Sequence, residues 1–380
     1  MNRRILFIQF SDPTAYPPLE HVSRLLADHG WNVVLLGVSA PGIDNLRFPS
    51  HPRITIKNFR FVPGGWRQKV QYFFLFVRAL YWVLRWKPQW IYASDPPACP
   101  IAWIIHKISG VRVIYHEHDS PNVHPESWFT RQIQAFRSRM GADADLCILP
   151  QRERALKFVE TTKRTKPVFC VWNCPRLDEV PQLRSSESGD DLVVYYHGSI
   201  TRARVPRELI VAASRFRGAV RVRLAGYETL GNVGYVDELT RLAASNGAEG
   251  IVEPLGVIPR HDLLRCASQA QIGLSLMPRR SEDINMQHMV GASNKAFDYM
   301  ASGLPLVVTD LPDWVETFVD AGYALACNPE DADSIETVLR WFLEHPEERR
   351  RMGERGRDRI LQDWNHDRMF AGVLASLQRV

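Results

Sequence analysis

Cysteine is scarce in this sequence, and its few copies are not spaced for a metal site. The chain has six cysteines in 380 residues, with no Cys-x-x-Cys pair and no such pair followed by a His-x-x-x-His array. A structural zinc site usually needs such spacing, so we expect none. We also expect no secretory signal peptide, because the first residues do not have its pattern. Together these features predict a protein of the reducing cytoplasm.

Long hydrophobic runs are missing as well. The nearest candidate, 72–86, is interrupted by Arg78 and Arg85, whereas a membrane span needs about 20 consecutive apolar residues. Hydrophobic residues make up 45% of the chain and charged residues 23%. This composition is typical of globular proteins and excludes collagen-like, coiled-coil and low-complexity classes. The length of the chain predicts two domains, or at most three.

Acidic residues are under-represented in the first half. Lys and Arg exceed Asp and Glu by ten in residues 1–180 and fall short by five in residues 181–380. This asymmetry predicts two domains with different partners. A basic surface suits nucleic acid, anionic lipid or a phosphorylated substrate, and a simple solvated face is the alternative. We expect no nucleic acid, because the basic half has no recognised nucleic-acid module and its aromatic residues lie in apolar runs.

What the sequence does contain is a regular alternation of strand and helix patterns. Short apolar runs alternate with segments of helical spacing, and the alternation restarts at residue 192 after a polar, turn-rich segment. This pattern predicts an α/β fold with two doubly wound domains and parallel sheets. We expect a first domain over 1–184, a linker over 185–191, a second domain over 192–362, and a terminal helix over 363–380 that crosses back to the first domain.

Residues 293–309 carry the most informative pattern. Ser293 and Asn294 are good N-cap residues, so a helix is expected to begin there and to end at Gly303. Free amides at a helix start bind phosphate, and Lys295 adds a positive charge. Asp298 lies one turn, about 5.4 Å, deeper on the face of Asn294. That step matches the distance from a diphosphate to a ribose and predicts a nucleotide-diphosphate site. A capped helix with a solvated aspartate is the alternative.

The segment 298–307, Asp-Tyr-Met-Ala-Ser-Gly-Leu-Pro-Leu-Val, resembles the Glu-Ala-Met-Ala-x-Gly-x-Pro-Val-Val signature of retaining GT-B glycosyltransferases of the family-four type, the group 1 glycosyl transferases. Residues 255–276 also resemble that family. With its two Rossmann-like domains and its terminal helix that crosses back, the resemblance extends over nearly the whole chain. It implies the GT-B architecture, in which two Rossmann-like domains face each other across a cleft. It further implies a metal-independent hexosyltransferase that acts with retention and needs no obligatory cofactor.

The same resemblance implies the substrates. The donor would be a UDP- or GDP-sugar, and the acceptor a hydroxyl of a saccharide, a glycolipid or another molecule, in bacterial polysaccharide or glycolipid synthesis. The family carries two glutamates eight residues apart. Asp298 stands at the second position, which holds the donor ribose in the family, whereas Val290 stands at the first. Glu282 or the amides at the helix start are the candidates to replace the lost glutamate. By resemblance to some branches of the family, Lys295 is placed near the diphosphate, and we include it among the catalytic residues.

A second cluster, 196–204, follows the first strand of the second domain. Gly198 lets the backbone approach a ligand closely, and Arg202 and Arg204 follow in a loop. The cluster resembles the family's Gly-Arg-Leu…Lys-Gly loop, whose cations neutralise the donor diphosphate, and Ser199 occupies the usual Arg position. We prefer Arg204 as the cation that stabilises the departing diphosphate, although two exposed loop arginines are the alternative.

Three further residues are expected beside the nucleotide. Gly226 ends the next strand, at a position where the family places a glycine near the nucleotide. Tyr227 is a candidate neighbour of the base, and a half-buried structural tyrosine fits the pattern equally well. Ile258, within a Val-Ile-Pro segment, is expected to border the base.

The third cluster is the run His116, Glu117, His118 and Asp119, which follows a buried strand. Four titratable residues in such a place are costly unless they are used. They could be metal ligands, but no Cys or further His lies beside them, so no metal site is expected. The segment 110–119 resembles the family's Gly-x-Pro-Val-Val-Tyr-x-x-His-Asp. That match implies that His118 reaches the donor sugar and the reaction centre, with the other three on the acceptor side. A protonatable histidine would also suit an anionic acceptor.

Two more loops and one helix complete the expected acceptor side. Tyr16 lies in a proline-rich loop after the first strand, and Asp95 follows another strand, so both are predicted to contact the acceptor. The segment 66–87 is unusually aromatic and carries a basic stripe, which suits peripheral contact with an anionic membrane at the inner face of the plasma membrane. Burial of this helix against the sheet is the alternative.

Two other functions remain open. The missing first glutamate would also fit a nucleotide-sugar binding protein that has lost transferase activity. A nucleotide-sugar epimerase on the same fold is the other alternative.

Overall fold

The structure is a computed structural model that describes residues 3–40, 47–121, 127–182 and 191–378. The chain forms two compact units. The first consists of Met1–Asn173, Asp283–Ala292 and His366–Val380, and the second of Cys174–Glu282 and Ser293–Asn365. Except for Asp191, the linker expected over 185–191 lies outside the described residues.

All strands pair in parallel, as the alternation of strand and helix patterns predicts. Their bounds are β1 Arg4–Ile8, β2 Asn32–Val38, β3 Ile54–Phe59, β4 Trp90–Ser94, β5 Arg112–His116, β6 Leu146–Leu149, β7 Val168–Cys170, β8 Leu192–Ile200, β9 Val220–Glu228, β10 Val252–Gly256, β11 Ile272–Ser275, β12 Leu306–Thr309 and β13 Ala324–Cys327.

The helices fall between these strands. They are α1 Pro17–Asp28, α2 Trp66–Trp86, α3 Cys99–Ser109, α4 Trp128–Asp143, α5 Arg152–Thr162, α6 Arg207–Ser214, α7 Tyr235–Ser245, α8 Arg260–Ala267, α9 Ile284–Gln287, α10 Asn294–Ala301, α11 Pro312–Trp314, α12 Ala332–Glu344, α13 Pro346–Gln362, α14 His366–Met369 and α15 Ala371–Gln378. Short 3₁₀ turns include Pro13–Ala15, Pro96–Ala98 and Leu177–Glu179.

Within the described residues, the first unit has a seven-stranded sheet in the order β3-β2-β1-β4-β5-β6-β7. Its central strands are apolar on both faces because a core packs on each side. One core joins β1 and β4 to α2, α3 and α4, and the other joins them to α1 and α15. The chain therefore returns at its end to complete the core of the first unit, although α14 and α15 replace the single terminal helix that was expected.

The second unit has a six-stranded sheet in the order β10-β9-β8-β11-β12-β13, again counted over the described residues. This is the order of a dinucleotide-binding Rossmann fold, in which ligands bind beyond the carboxyl ends of the strands. Its core lies mainly between this sheet and α6, α7 and α12. Both units are thus Rossmann-like α/β structures. In each unit, residues that bind a ligand are expected at the carboxyl ends of the strands.

Candidate functional site

The start of α10 lies where the sequence predicts it, after the turn that precedes the helix. Ser293 is the N-cap residue, and α10 runs from Asn294 to Ala301. The Ser293 side chain is buried, but its Oγ has no hydrogen-bond partner among the described residues and does not cap the helix. A buried hydroxyl beside the free amides of a helix start is a donor set suited to an anionic group.

Lys295 lies against the glycine of the β8 loop. A methyl group built on Gly198 would lie 3.0 Å from both Cε and Nζ of Lys295, so the glycine leaves room for the cation. Burial, assisted by the nearby charge of Arg204, lowers the pKa of Lys295 to about 7, although Asp298 opposes the shift. The structure therefore brings together Gly198, Lys295 and the start of α10 at the carboxyl end of β8.

Asp298 is fully buried, and its carboxylate is held by two side chains, those of Arg260 and His197. Arg260 donates from Nη2 to Oδ1 at 2.9 Å and from Nη1 to Oδ2 at 3.1 Å, and Nε2 of His197 lies 3.2 Å from Oδ2. Glu179 accepts from Nε of the same arginine at 2.6 Å. Burial alone would raise the pKa of Asp298, but the charge of Arg260 and the hydrogen bonds outweigh it and hold the pKa below its usual value.

His197 stays neutral beside this carboxylate. Burial lowers its pKa despite the hydrogen bond to Asp298. The Nε2–H therefore donates to Asp298, and Nδ1 is a buried acceptor without a hydrogen-bond partner in the described part of the chain. Arg260, Glu179 and His197 were not predicted as site residues. Arg260 directly follows the Val-Ile-Pro segment, which was a local signal, whereas nothing in the sequence around Glu179 points to Asp298.

The two loop arginines after β8 differ in their surroundings. Arg204 is half-buried and close enough to Lys295 to affect its pKa. Arg202 is exposed and pairs with Glu238 at 2.5 Å, above the ring of Tyr235. Arg202 thus forms an ion pair on the surface of the second unit, and its expected place beside the diphosphate stays a prediction. Ser199 is half-buried and accepts a hydrogen bond from the Tyr196 hydroxyl at its backbone oxygen.

Gly226 is explained by strand packing. It pairs with Gly198 across β8 and β9, and a methyl group there would lie 1.9 Å from the carbonyl oxygen of Gly198. With a φ of 148° it also adopts backbone geometry that favours glycine. Tyr227, the next residue, is exposed and pairs in register with Ser199, and Ile258 is half-buried.

In the first unit, Asp95 connects three parts of the expected acceptor side. Its Oδ2 accepts from the Tyr16 hydroxyl at 2.9 Å, and its Oδ1 accepts from the backbone amides of His118 at 2.8 Å and Asp119 at 3.4 Å. Burial raises the pKa of Asp95 to about 6 despite these bonds. Asp95 also has a φ of 64°, a strained geometry for a non-glycine residue that is typical of functional sites.

His118 is buried and neutral. Burial lowers its pKa to about 3, because Asp119 only partly offsets the loss of solvent. The ring is therefore neutral, whereas the sequence suggests a protonated histidine that binds an anionic acceptor. Neither ring nitrogen has a hydrogen-bond partner in the described ranges, and the Tyr16 ring meets it edge-on at 5.0 Å. A neutral imidazole with both nitrogens available suits a neutral sugar hydroxyl better than a charged group.

Arg154 is a buried neighbour that sequence reasoning missed. One of its Nη groups donates to the backbone oxygen of His118. Its Nε and other Nη have no hydrogen-bond partner among the described residues. Burial lowers its pKa, and the nearby carboxylate of Asp119 opposes that shift. Because α5 carries no motif, only the fold reveals this contact.

Glu117 and His116 lie inside the first unit, away from the acceptor-facing position expected for them. Glu117 is fully buried and accepts from Arg137 Nε at 2.5 Å and Nη2 at 2.7 Å. Tyr115 donates to it at 2.6 Å. His116 is buried at the end of β5, and its Nδ1 bonds to the Tyr92 hydroxyl. These contacts give both residues a role in packing the strand end beneath His118 and Asp119.

No group of three or more His, Cys, Asp or Glu side chains in the described ranges is arranged to hold a metal ion. Among the helices that the structure describes, none is long and apolar enough to span a bilayer.

Two family models match the chain, one in each half. A model described as "Glycosyl transferase 4-like domain" matches residues 18–161, and one described as "Glycosyl transferase-like" matches residues 202–375. Together they cover more than four fifths of the chain. The chain belongs to the group 1 glycosyltransferases of the family-four-like type, and it is a transferase of the GT-B fold. No curated protein sequence matches it.

Solved structures support the fold. HepE (Alr3699) of Anabaena, crystallised with UDP and glucose, is 16% identical with a TM-score of 0.73, and the match covers all of both chains. Sucrose-phosphate synthase of Thermosynechococcus elongatus is 15% identical with a TM-score of 0.70, over 100% of this chain and 98% of that one. WaaG, a glycosyltransferase of lipopolysaccharide biosynthesis, is 12% identical with a TM-score of 0.67, over 97% and 98%.

Proposed function

We propose that the protein transfers a hexose-type sugar, with net retention of configuration, from a nucleoside-diphosphate sugar to an acceptor hydroxyl. The observation that carries this proposal is the meeting of Gly198, Lys295 and the start of α10 at the carboxyl end of β8. A glycine beside a cation and free helix amides suits a diphosphate. HepE was crystallised with UDP and with UDP-glucose, which favours a UDP-sugar over a GDP-sugar as donor.

The diphosphate leaving group is held by positive charge. Lys295 and Arg204 are near each other and Ser293 lies beside the amides of α10. As the bond from the sugar carbon to the phosphate oxygen breaks, the electron pair moves onto the diphosphate, and fixed cations stabilise that charge. This arrangement supplies the charge stabilisation that a metal gives elsewhere, so we propose a metal-independent hexosyltransferase.

Asp298 is proposed to accept the hydroxyls of the donor ribose. It lies one turn into α10, and its Oδ1 accepts one bond, from Arg260, out of the two that a carboxylate oxygen can accept. Arg260 and His197 fix the orientation of the carboxylate. The base is proposed to lie toward Tyr227 and Ile258, with Gly226 keeping the strands close beneath it.

The acceptor side is assigned to the first unit. We propose that Tyr16, Asp95, His118 and Asp119 bind the acceptor hydroxyl and the transferred sugar, with Asp95 fixing the loop that carries His118. The acceptor oxygen forms its bond to the sugar carbon on the face that the diphosphate leaves. Its proton passes to the departing phosphate oxygen, which preserves configuration without a covalent sugar–enzyme intermediate.

The acceptor is proposed to be a saccharide or glycolipid of a bacterial polysaccharide or glycolipid pathway. Sugar transfer would then take place in the cytoplasm, with peripheral contact at the inner face of the plasma membrane.

The first experiment measures UDP and GDP binding by calorimetry and turnover with a panel of nucleotide sugars and acceptors. Asp298→Asn keeps the size of the side chain but removes its charge. We expect it to weaken UDP binding about tenfold or more, because hydrogen bonds to a charged group contribute about 1.5–3 kcal/mol. Asp237→Asn, at an exposed carboxylate of α7, is the matched control.

Each outcome separates the alternatives. Unchanged UDP affinity in folded Asp298→Asn would remove the ribose assignment. Binding without transfer or hydrolysis would favour a nucleotide-sugar binding protein, and an epimerised sugar released without acceptor would favour an epimerase. An inverted anomeric configuration in the product by NMR would contradict retention, and loss of turnover in EDTA would contradict metal independence.

A further inference from the structure

One side of α2 is an exposed apolar stripe. Its members recur every three or four residues over about 27 Å of helix, so they share one face. Exposed fractions range from 43% at Val70 and Val77 to 70% at Trp66. The stripe consists of Trp66, Val70, Phe73, Val77, Tyr81 and Leu84, and Phe74, 54% exposed, lies beside it.

The opposite side of the same helix is buried in the first unit. Gln71, Leu75, Ala79 and Val83 are its buried residues, and they also recur every four residues. Leu75, Ala79 and Val83 pack in the core between the sheet and α3. The burial needed to hold α2 in place is therefore complete without the stripe, so packing against the sheet explains one face of the helix and leaves the other exposed.

The sequence segment that carries the stripe has charges of a single sign. Residues 45–94 contain nine Lys and Arg and no Asp or Glu. Arg67 and Arg85 are exposed on one flank of the stripe and Lys69 on the other. No described carboxylate forms an ion pair with any of these three side chains. An apolar face flanked by free cations matches the interface of an anionic bilayer, where aromatic rings sit among the headgroups.

A basic cavity of about 1010 Å³ opens at the end of the stripe. Leu84 belongs to both, and Lys87, Arg3 and Arg112 supply the positive charge. Arg3 stacks over Trp31 at 5.9 Å and Arg112 over Trp90 at 5.5 Å, which holds both guanidinium groups in place. None of the lining residues is acidic. The cavity is thus suited to an anionic lipid headgroup.

We propose that this face of α2, with the cavity at its end, docks the protein on a membrane surface containing anionic phospholipid. The helix lies in the interface plane, with the stripe inserted among the acyl chains and the flanking cations on the phosphates. A second copy of the chain is a poorer occupant, because two such basic faces would repel each other. This proposal identifies anionic phospholipid as the membrane component that the protein binds. It rests on the proposed function, in which sugar transfer takes place at the inner face of the plasma membrane.

The test is vesicle flotation of the full chain. The probes are vesicles of phosphatidylcholine alone and of phosphatidylcholine mixed with phosphatidylglycerol. We expect binding only to the mixed vesicles, weakening as salt is raised. Trp66→Ser/Phe73→Ser/Tyr81→Ser is expected to reduce binding at least about tenfold. Arg67→Gln/Lys69→Gln/Arg85→Gln is expected to lower binding to mixed vesicles and to reduce its salt dependence, because only the cations of the cavity remain.

A matched control removes exposed apolar side chains elsewhere. Leu156→Ser/Leu230→Ser/Val233→Ser should bind vesicles like the wild type. UDP affinity should be unchanged in every variant, which separates failure of docking from failure of the transferase proposal. Wild-type protein that floats with neither vesicle would overturn the inference. The inference would also be overturned if light scattering showed a dimer for the wild type and a monomer for Trp66→Ser/Phe73→Ser/Tyr81→Ser, because the face would then join two copies of the chain.

Discussion

The surroundings of Lys295 make its ammonium group easier to deprotonate. Burial and Arg204 lower its pKa from 10.5 to about 7. Below pH 7 it is protonated in both the folded and the unfolded chain. Between 7 and 10.5 the unfolded chain binds more protons, so this group makes folding more favourable as pH rises through that window. A bound diphosphate would reverse the shift, because it favours the charged form.

We therefore predict that UDP binding takes up a proton above neutral pH. Calorimetry in buffers of different ionisation enthalpy should show uptake approaching one proton at about pH 9 and little at about pH 6. UDP affinity should fall over the same range. Lys295→Met should lose about tenfold or more in affinity and lose the proton uptake. Lys295→Arg, always charged, should show no uptake, and uptake that persists in it would assign the proton to another group.

At the residue scale, the sequence predicts where a side chain lies along a helix or strand better than it predicts which residues that side chain contacts. The spacing of Ser293, Lys295 and Asp298 along α10 follows from local pattern alone. The ion pair from Arg260 to Asp298 and the bond from Asp95 to Tyr16 do not, because they join residues 38 and 79 positions apart. Glu117 shows the converse error. A polar residue after a strand suggests a ligand contact, but here Arg137 neutralises it in the interior.

At the scale of elements, α10 is fixed by a second helix at its carboxyl end. Gly303 follows α10 in a left-handed conformation, and α13 passes so close that a methyl group on Gly353 would lie 2.0 Å from the Gly303 carbonyl oxygen. Gly356, one turn later, faces only the flexible side chain of Met300 at 3.3 Å. One close backbone approach thus helps to set the position of the helix that carries Lys295 and Asp298.

This contact predicts different effects for two similar substitutions. Gly353→Ala should destabilise the protein by about 1–3 kcal/mol or more, because backbone must move. Gly356→Ala should be neutral or stabilise by up to about 1 kcal/mol, since alanine favours helix over glycine. Thermal unfolding of the two variants checks this. A Gly353→Ala variant as stable as the wild type would show that α13 can shift without cost.

The sequence failed to predict β3 and β7, the two outer strands of the first sheet. β7 is three residues long, and β3 is a half-exposed edge strand, so neither gives a continuous apolar run. The central strands, buried on both faces, give that signal clearly. An outer strand forms because it pairs with its neighbour in the sheet. β3 aligns in register with β2 over six residues, and the local sequence pattern of β3 does not contain that information.

For the whole molecule, the main consequence is that the hydrophobic cores of the first unit are separate from the core of the second. One core lies within the second unit, while Phe370, Val373 and Leu377 of the chain end pack with β1, β2 and β4 in the first. Each unit therefore has its own source of stability. A ligand that binds the second unit should stabilise that unit by mass action.

We predict two calorimetric transitions with different sensitivities. UDP should raise only the transition of the second unit. Phe370→Ala should lower only that of the first, by about 3–5 kcal/mol of unfolding free energy, because a fully buried ring is removed. Gln378→Ala, exposed on the same terminal segment, is the control. If Phe370→Ala lowered both transitions equally, the cores would not be independent.

The split first unit has a consequence for biosynthesis. Translation releases β7 two hundred residues before Phe370, a delay of about 10–40 s at ordinary elongation rates. A nascent chain carrying the first seven strands lacks Phe370, Val373 and Leu377, which together with α1 cover one face of β1, whereas synthesis of the second unit is complete at Asn365. Synthesis therefore completes the second unit before the first, and part of the apolar surface of the first unit stays open to chaperones until α15 is made.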